Sequence, residues 1–341
     1  MRTTPTCLIS PDSVLADVFP PAVRSRAERA ARGSVAHLTP EALVSGGAGL
    51  AEVEVLLCTW GMPRLDAAVL DRLPNLRLIL YAAGSISSFA TSELHARGVR
   101  ISTATYANSI PVAEFTVSVI HLMLKRAFAQ ARGVRRARSF SPMPITGAYG
   151  SVVGLVSVGQ IGRLVAERLR MSDLRVLAYD PFLAEAEARE VGLTLVDLPE
   201  IFDRSDVVSV HTPLLDETIG LIDEALLDRL SEGAGFINTA RGAVVDEAGL
   251  IRVAGRRPDL QFALDVTHPE PPAPDSPVYR LENVFLTPHI AGSMGGERAR
   301  LADHMVDELE RYIRTEPLAY EVDLSALAHS AHRFTPQGHR A

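Results

Sequence analysis

The 341-residue sequence predicts an α/β protein built from two domains, each a parallel sheet flanked by helices. Short apolar runs alternate with helix-patterned stretches along most of the chain, the signature of strand–helix–strand units that build a parallel sheet. A second series of such runs starts at Ser151, after a stretch rich in basic residues, proline and glycine. The length is also greater than one typical domain needs.

In the first series TCLIS (6–10), VEVLLCTW (53–60), LRLILYA (76–82) and VRISTA (99–104) read as buried strands rich in Val, Ile and Leu. ERAARG, PRLDAAVLDRLP and FATSELHARG carry helical spacing between them, with glycine or proline near their stops. The stretch NSIPVAEFTVSVIHLMLKRAFAQAR then predicts one long helix that opens with Asn108 and Ser109 ahead of Pro111. GVRRARSFSPMPITGAYG reads as exposed linker. Six further strands follow in SVVGLVSV, LRVLAYD, VVSVHT, GAGFINTA, QFALDV and NVFLTPHI, and GGERARLADHMVDELERYIR returns as helix. The last stretch, HSAHRFTPQGHRA, has no periodicity, and residues 331–341 are expected to be a disordered tail.

A 47% apolar and 22% charged composition is that of a soluble globular chain, and a net charge of −7 offers no general attraction for nucleic acid or an anionic membrane. The basic run Lys125, Arg126, Arg132, Arg135, Arg136 and Arg138 lacks interleaved aromatics and reads as a solvated face. Cys7 and Cys58 form neither a disulfide framework nor a metal-ligand spacing, so no metal is expected and a cytoplasmic location is. The most apolar helical segment, from Val112, contains Glu114 and His121 and falls short of the roughly 20 apolar residues of a membrane span.

GLVSVGQIG (154–162) lies between a strand and a helix pattern, the setting in which backbone N–H groups and a helix N-terminus meet a pyrophosphate. Gly159 stands where the backbone approaches phosphate, followed by Gln160 and Ile161, and Gly162 where helix packs on strand. Ser157 replaces the glycine of the tight turn, and a serine fits there if its φ stays negative. Asp180, ending the next strand in VLAYDP, is placed to accept from ribose hydroxyls and to repel a 2′-phosphate, which favours NAD over NADP.

Three more segments set complementary chemistry after strands: NTARG with Arg241, ALDVTHPEP with Asp265 and Glu270, and TPHIAGS with His289. Ligands of open parallel sheets bind outside the carboxyl ends of strands, so one crevice can receive all three. An arginine, an acid and a histidine suit reduction of a 2-oxo acid, where a carboxylate is held while a proton is supplied.

With NSIPVAEFT, GLVSVGQIGR, YDP, HTPLLDETIGLID, FINTARGAVVDEAGL, ALDVTHPEP and LTPHIAGS in order across residues 53–320, the chain resembles the D-isomer-specific 2-hydroxyacid dehydrogenases. That family includes glyoxylate/hydroxypyruvate reductases, D-lactate and phosphoglycerate dehydrogenases. The resemblance implies a NAD-binding Rossmann domain, residues 108–294, inserted into a smaller flavodoxin-like substrate domain, residues 1–107 with 295–330. It implies Arg241 as the residue that binds the substrate carboxylate and polarises the carbonyl, His289 as acid/base and Glu270 as its paired carboxylate. Asp265 would lie near the nicotinamide, with His211, Thr212, Pro213, Thr239 and Ala240 along the cofactor and Asn108 near the nicotinamide side of the site. A homodimer built mainly on the cofactor domain is implied as well.

The chain also departs from the family. The loop that gives backbone N–H groups to the substrate carboxylate reads YAAGSISSFA, with Ala83, Gly84 and Ser85 in the binding positions. Ser87 and Ser88 replace the familiar aspartate–asparagine pair. Glu270 argues against the formate dehydrogenase branch, which carries glutamine there. A phosphorylated substrate has only Arg64 and Arg97 nearby to meet it, so a small unphosphorylated 2-oxo acid is expected. The alternatives are a phosphoglycerate dehydrogenase-type enzyme and an NAD(H)-sensing, corepressor-like binding protein.

Overall fold

A computed structural model describes residues 3–323. Residues 331–341, and the 324–330 end of the expected first domain, lie outside the described residues. The chain divides into two compact units: one runs up to Asn108 and resumes at Ser293, and the other is the continuous stretch Ser109–Gly292.

In the first unit, β1 (Thr6–Ile9), β2 (Ala36–Leu38), β3 (Val55–Cys58), β4 (Leu78–Tyr81) and β5 (Arg100–Thr103) form a parallel sheet of order β2-β1-β3-β4-β5. Ile9, Leu56, Cys58, Ile79 and Ile101 face one apolar layer, and Leu8, Val55, Leu57, Leu78 and Leu80 face the other. Burial on both faces is why these strands read as unbroken apolar runs. The second layer is closed by Leu301, Met305, Val306 and Leu309 of the Arg298–Ile313 helix. A buried Glu308 in that helix accepts from Ser102 Oγ at 2.7 Å and from the N–H groups of Ala319 and Tyr320, so its charge is spent on fastening the following segment.

In the second unit, β6 (Val152–Val156), β7 (Arg175–Tyr179), β8 (Thr194–Leu195), β9 (Val207–Val210), β10 (Gly235–Asn238), β11 (Gln261–Leu264) and β12 (Val284–Leu286) form a parallel sheet of order β12-β11-β10-β9-β6-β7-β8. The order reverses at β6, which puts the glycine turn between the ends of β7 and β9. Phe202, Phe236 and Phe262 are fully buried in the core beneath it, each contributing about 2 to 3 kcal/mol relative to exposure.

The structure corrects four expectations. The helix expected to open at Asn108 starts at Thr105 and runs to Leu124, with Pro111 inside it. The backbone bond lost at Pro111 is offset by burial of Val112, Ala113, Thr116, Val119, Ile120 and Met123. With 20 residues this helix is, by length and composition, long and apolar enough to cross a membrane, unlike the segment counted from Val112, yet more than half of its apolar window is buried inside the protein. It also does not continue to Arg132: Arg126 turns left-handed (φ 48°) and starts a separate helix, Ala127–Ala137, which takes up the first residues of the expected linker. The edge strands β2 and β8, three and two residues long, are too short to have shown a period.

Candidate active site

The helix Gln160–Leu169 follows β6 with Gly159 as its N-cap and no side chain capping it, so its first N–H groups stand free for an anion. A Cβ on Gly159 would meet nothing within 4 Å, whereas one on Gly162 would stand 2.6 Å from the Ser157 carbonyl oxygen, which keeps helix and turn in contact. Ser157 departs from expectation, for its φ is +73°, the left-handed region that glycine takes without cost. Its N–H donates to Tyr179 O at 2.7 Å, and its hydroxyl lies 2.9 Å from Thr212 Oγ1, which in turn donates to Val156 O. These bonds hold the strained turn in place.

Asp180 faces the same turn. Its Oδ2 accepts from Val158 N–H at 2.8 Å and its Oδ1 from Phe182 N–H at 2.9 Å, which fixes the carboxylate and leaves each oxygen a second lone pair for a hydroxyl. His211 lies beside Gly162, buried, with one ring nitrogen 3.1 Å from Ser209 Oγ and Nδ1 without a partner among the described residues. Burial pulls its imidazole down to about 4, so it is neutral. Open backbone donors, a fixed carboxylate and an orphaned buried nitrogen around one turn fit a dinucleotide. Ser109 Oγ donates to Gln160 Oε1 at 2.9 Å, and Thr239 Oγ1 lies 3.1 Å from Thr116 Oγ1, so both cofactor candidates are also tied to the Thr105–Leu124 helix.

The next three loops leave the carboxyl ends of the neighbouring strands β10, β11 and β12. Asn238, buried at the end of β10, accepts from Ala240 N–H and donates to Arg241 O, both at 3.0 Å, and so shapes the NTARG turn from within. Arg241 is exposed and donates from Nη1 to Ala240 O at 2.6 Å; among the described residues no carboxylate pairs with it. At Gly242 the turn lies against the next loop so closely that a Cβ would stand 2.0 Å from the Thr267 carbonyl. Glu247 accepts from His268 N–H at 2.6 Å and Thr267 Oγ1 donates to Pro269 O, which steadies the approach to Glu270.

His289 Nδ1 is 2.6 Å from Glu270 Oε1, with the two side chains 48% and 45% exposed. With Nδ1–H donating to the carboxylate, Nε2 is the nitrogen left to exchange a proton with a ligand. His289 itself sits at φ +56°, its N–H shared between Asp265 O and Thr287 O. The Asp265 carboxylate, buried, accepts from Thr287 Oγ1 at 2.6 Å and from the N–H groups of Ile290 and Ala291 at 2.8 and 2.9 Å. Asp265 therefore cradles the His289 loop, and three of its acceptor positions are already used.

In the first unit the three loop residues named from the sequence differ in their backbone bonding. The Ala83 N–H is committed to Tyr81 O at 2.7 Å, so of the three residues named only Gly84 and Ser85 have N–H groups without a partner among the described residues. Asn108 is likewise engaged: its Oδ1 accepts from Ser293 N–H at 2.9 Å. Sequence reasoning missed Asn238, Gly242, Glu247 and Thr287. Asn238 alone carried a signal, as an asparagine closing a strand ahead of a turn.

The reversed parallel sheet and the turn at its switch point define a dinucleotide-binding α/β protein. The family described as D-isomer specific 2-hydroxyacid dehydrogenase, NAD binding domain, matches residues 117–291. A D-3-phosphoglycerate dehydrogenase of Archaeoglobus fulgidus is 32% identical over 276 residues, 80% of this chain and 52% of that protein. A glyoxylate reductase of Korarchaeum cryptofilum is 32% identical over 257 residues, 74% of this chain and 77% of its own length. A solved D-isomer specific 2-hydroxyacid dehydrogenase from Xanthobacter autotrophicus Py2, in complex with NADPH and MES, aligns with a TM-score of 0.72 at 25% identity, covering 95% of this chain and 99% of that one. The chain belongs to the D-isomer specific 2-hydroxyacid dehydrogenase family, whose members are NAD-dependent oxidoreductases acting on CH–OH groups. It spans about half the length of the phosphoglycerate dehydrogenase it matches.

Proposed function

We propose that this chain is an NAD-dependent dehydrogenase interconverting a small 2-oxo acid and its D-2-hydroxy acid. The observation that carries the reading is the 2.6 Å contact between His289 Nδ1 and Glu270 Oε1, on loops that neighbour the Arg241 turn. Arg241 presents a planar guanidinium free of carboxylate partners, suited to a bidentate grip on the acid's carboxylate and to polarising its carbonyl. A dinucleotide held at the Gly159 helix start and by Asp180 would supply hydride chemistry at C2 in either direction. His289 Nε2 gives its proton to the forming alkoxide and takes it back in the reverse direction, while Glu270 holds the ring in one orientation. Within the first unit, Gly84 and Ser85 offer backbone donors of the kind a carboxylate takes.

The fixed Asp180 carboxylate supports NAD over NADP, since a 2′-phosphate there meets a like charge. An unphosphorylated acid is favoured because Arg97 is paired with Asp71 at 2.5 Å. The breaks after Asn108 and Gly292 support an inserted cofactor domain. A homodimer is supported by the Ala127–Ala137 helix, in which none of the residues is buried, and by Phe140 and Tyr149, 95% and 88% exposed. Buried free thiols at Cys7 and Cys58 accord with a cytoplasmic location.

The test is oxidation of NADH and of NADPH by the purified chain against a panel of 2-oxo acids. Turnover with NADH, and much less with NADPH, is the expected result. Tight NADH binding without turnover on any acid would overturn the reading in favour of an NAD(H)-binding protein.

A further inference from the structure

At the carboxyl end of the first unit's sheet, where Gly84 and Ser85 follow β4, an open tryptophan follows β3. Cys58 of β3 pairs with Tyr81 of β4, Ala82 N–H donates to Cys58 O at 2.7 Å, and Thr59 Oγ1 donates to Ala82 O at 3.2 Å. The two chains thus stay side by side past their strands, and the next residues along them are Trp60 and Ala83. Trp60 is 37% exposed directly after the fully buried Thr59. The Arg298 guanidinium lies 5.8 Å from the centre of its ring and donates from Nη2 to Met294 Sδ at 3.5 Å, and Met294 is 43% exposed. Asp17 accepts from Arg298 Nη1 at 3.1 Å and offsets its charge. One guanidinium therefore touches two large, open apolar side chains, Met294 and the tryptophan that leaves β3 at the same end of the sheet as the Gly84 and Ser85 donors leave β4. The hydroxyls of Ser85 and Ser87, 2.9 Å apart, satisfy each other. YAAGSISSFA itself contains no cation that would draw a second acidic group.

We infer that the Trp60–Arg298–Met294 cluster selects the side chain of the substrate, and that the substrate class is 2-oxo acids with a bulky apolar or aromatic side chain. The inference rests on the proposed reaction and on the carboxylate being held by Gly84 and Ser85. Single exposed apolar residues are ordinary on a protein surface. A tryptophan and a methionine bound to the same arginine, at the sheet end that also carries Gly84 and Ser85, offer a preformed surface for the group a 2-oxo acid carries beyond its carbonyl. Glyoxylate has nothing to place there, and 2-oxoglutarate would bring a carboxylate against an arginine already paired with Asp17.

The experiment is NADH oxidation by the full chain with glyoxylate, pyruvate, 2-oxobutyrate, 4-methyl-2-oxopentanoate, phenylpyruvate and 2-oxoglutarate, repeated with Trp60→Ala, Trp60→Phe and Met294→Ala. In the native protein kcat/KM is expected to rise roughly fourfold per buried methylene, with phenylpyruvate far above glyoxylate. Trp60→Ala should cut the phenylpyruvate-to-pyruvate ratio by at least about tenfold, the lower end of what an apolar pocket discriminates. Trp60→Phe should retain most of that ratio. Met294→Ala, at an exposed position that does not threaten folding, should lower it as well. A preference for glyoxylate or 2-oxoglutarate, or ratios unchanged in both truncations, would overturn the inference and leave the reaction standing. Silence with every acid despite NADH binding would overturn the reaction and the inference together.

Discussion

The backbone of Gly242 rests on the peptide of Thr267 with no room between them: a Cβ at 242 would stand 2.0 Å from both the Thr267 carbonyl carbon and its oxygen. That contact joins the Arg241 turn to the loop that carries Glu270. Gly242→Ala must push backbone against backbone, so we expect a loss of stability on the order of 3 kcal/mol and a fall in kcat/KM for the oxo acid. Thermal unfolding and steady-state kinetics on the same preparation check both, and an unchanged Tm would show that the two loops yield freely.

Removing the proton-exchanging nitrogen in His289→Ala should lower kcat by about a thousandfold while NADH binding, followed by fluorescence titration, persists. Glu270→Gln keeps an acceptor for Nδ1–H but loses the charge beside it, and should fall between the two. Retained turnover in His289→Ala would remove His289 from the chemistry.

Ser157 holds a left-handed backbone for which only its hydrogen bonds compensate. Ser157→Gly and Ser157→Ala both lose the hydroxyl bond to Thr212, but only the glycine also relieves the strain. The glycine variant should therefore be the more stable of the two by about 1 to 2 kcal/mol, measured by urea unfolding. Equal stabilities would mean that the turn is not strained.

Asp180→Ser removes the charge that faces a 2′-phosphate. The ratio of kcat/KM for NADPH over NADH should rise by roughly 10- to 100-fold. A ratio that does not move would assign nucleotide choice to other groups.

His211 titrates near about 4 in the folded chain and near 6.5 when unfolded. Between those values the unfolded chain holds a proton that the folded chain lacks, so stability rises with pH across this window. The contribution is complete above about 6.5 and is lost as the pH falls toward about 4, amounting to no more than about 3 kcal/mol. The stability difference between the native chain and His211→Gln should shrink on acidification through this range. A difference independent of pH would show that His211 is not the group responsible.

All ten longer strands were legible because burial on both faces writes continuous Val, Ile and Leu runs, and the candidate site residues stood out because they follow those runs at once. The anchors behind them were not. Asn238, Thr287 and Glu247 act through backbone atoms of loops, and Gly242 through the absence of an atom, so nothing in residue type or spacing marks the contact. Asp265, read from the sequence as a cofactor residue, also binds the His289 loop through its carboxylate, which its residue type did not reveal. The break at Arg126 was hidden because no glycine or proline stands there, and Arg126 Nη2 bonds to the Asp259 carbonyl across a long sequence separation.

The hydrogen bond from Ser293 N–H to Asn108 Oδ1 sits where the chain leaves the first unit and where it comes back. To the first unit, the whole of Ser109–Gly292 is one loop whose ends must be brought together before the Arg298–Ile313 helix can close its core. A disordered loop of that length would carry a standing entropic cost, though one growing only with the logarithm of length. A loop already folded delivers its two ends together and removes most of that cost. The connectivity therefore makes one order of assembly less costly than the other: the interrupting segment first, with the interrupted one completed around the junction.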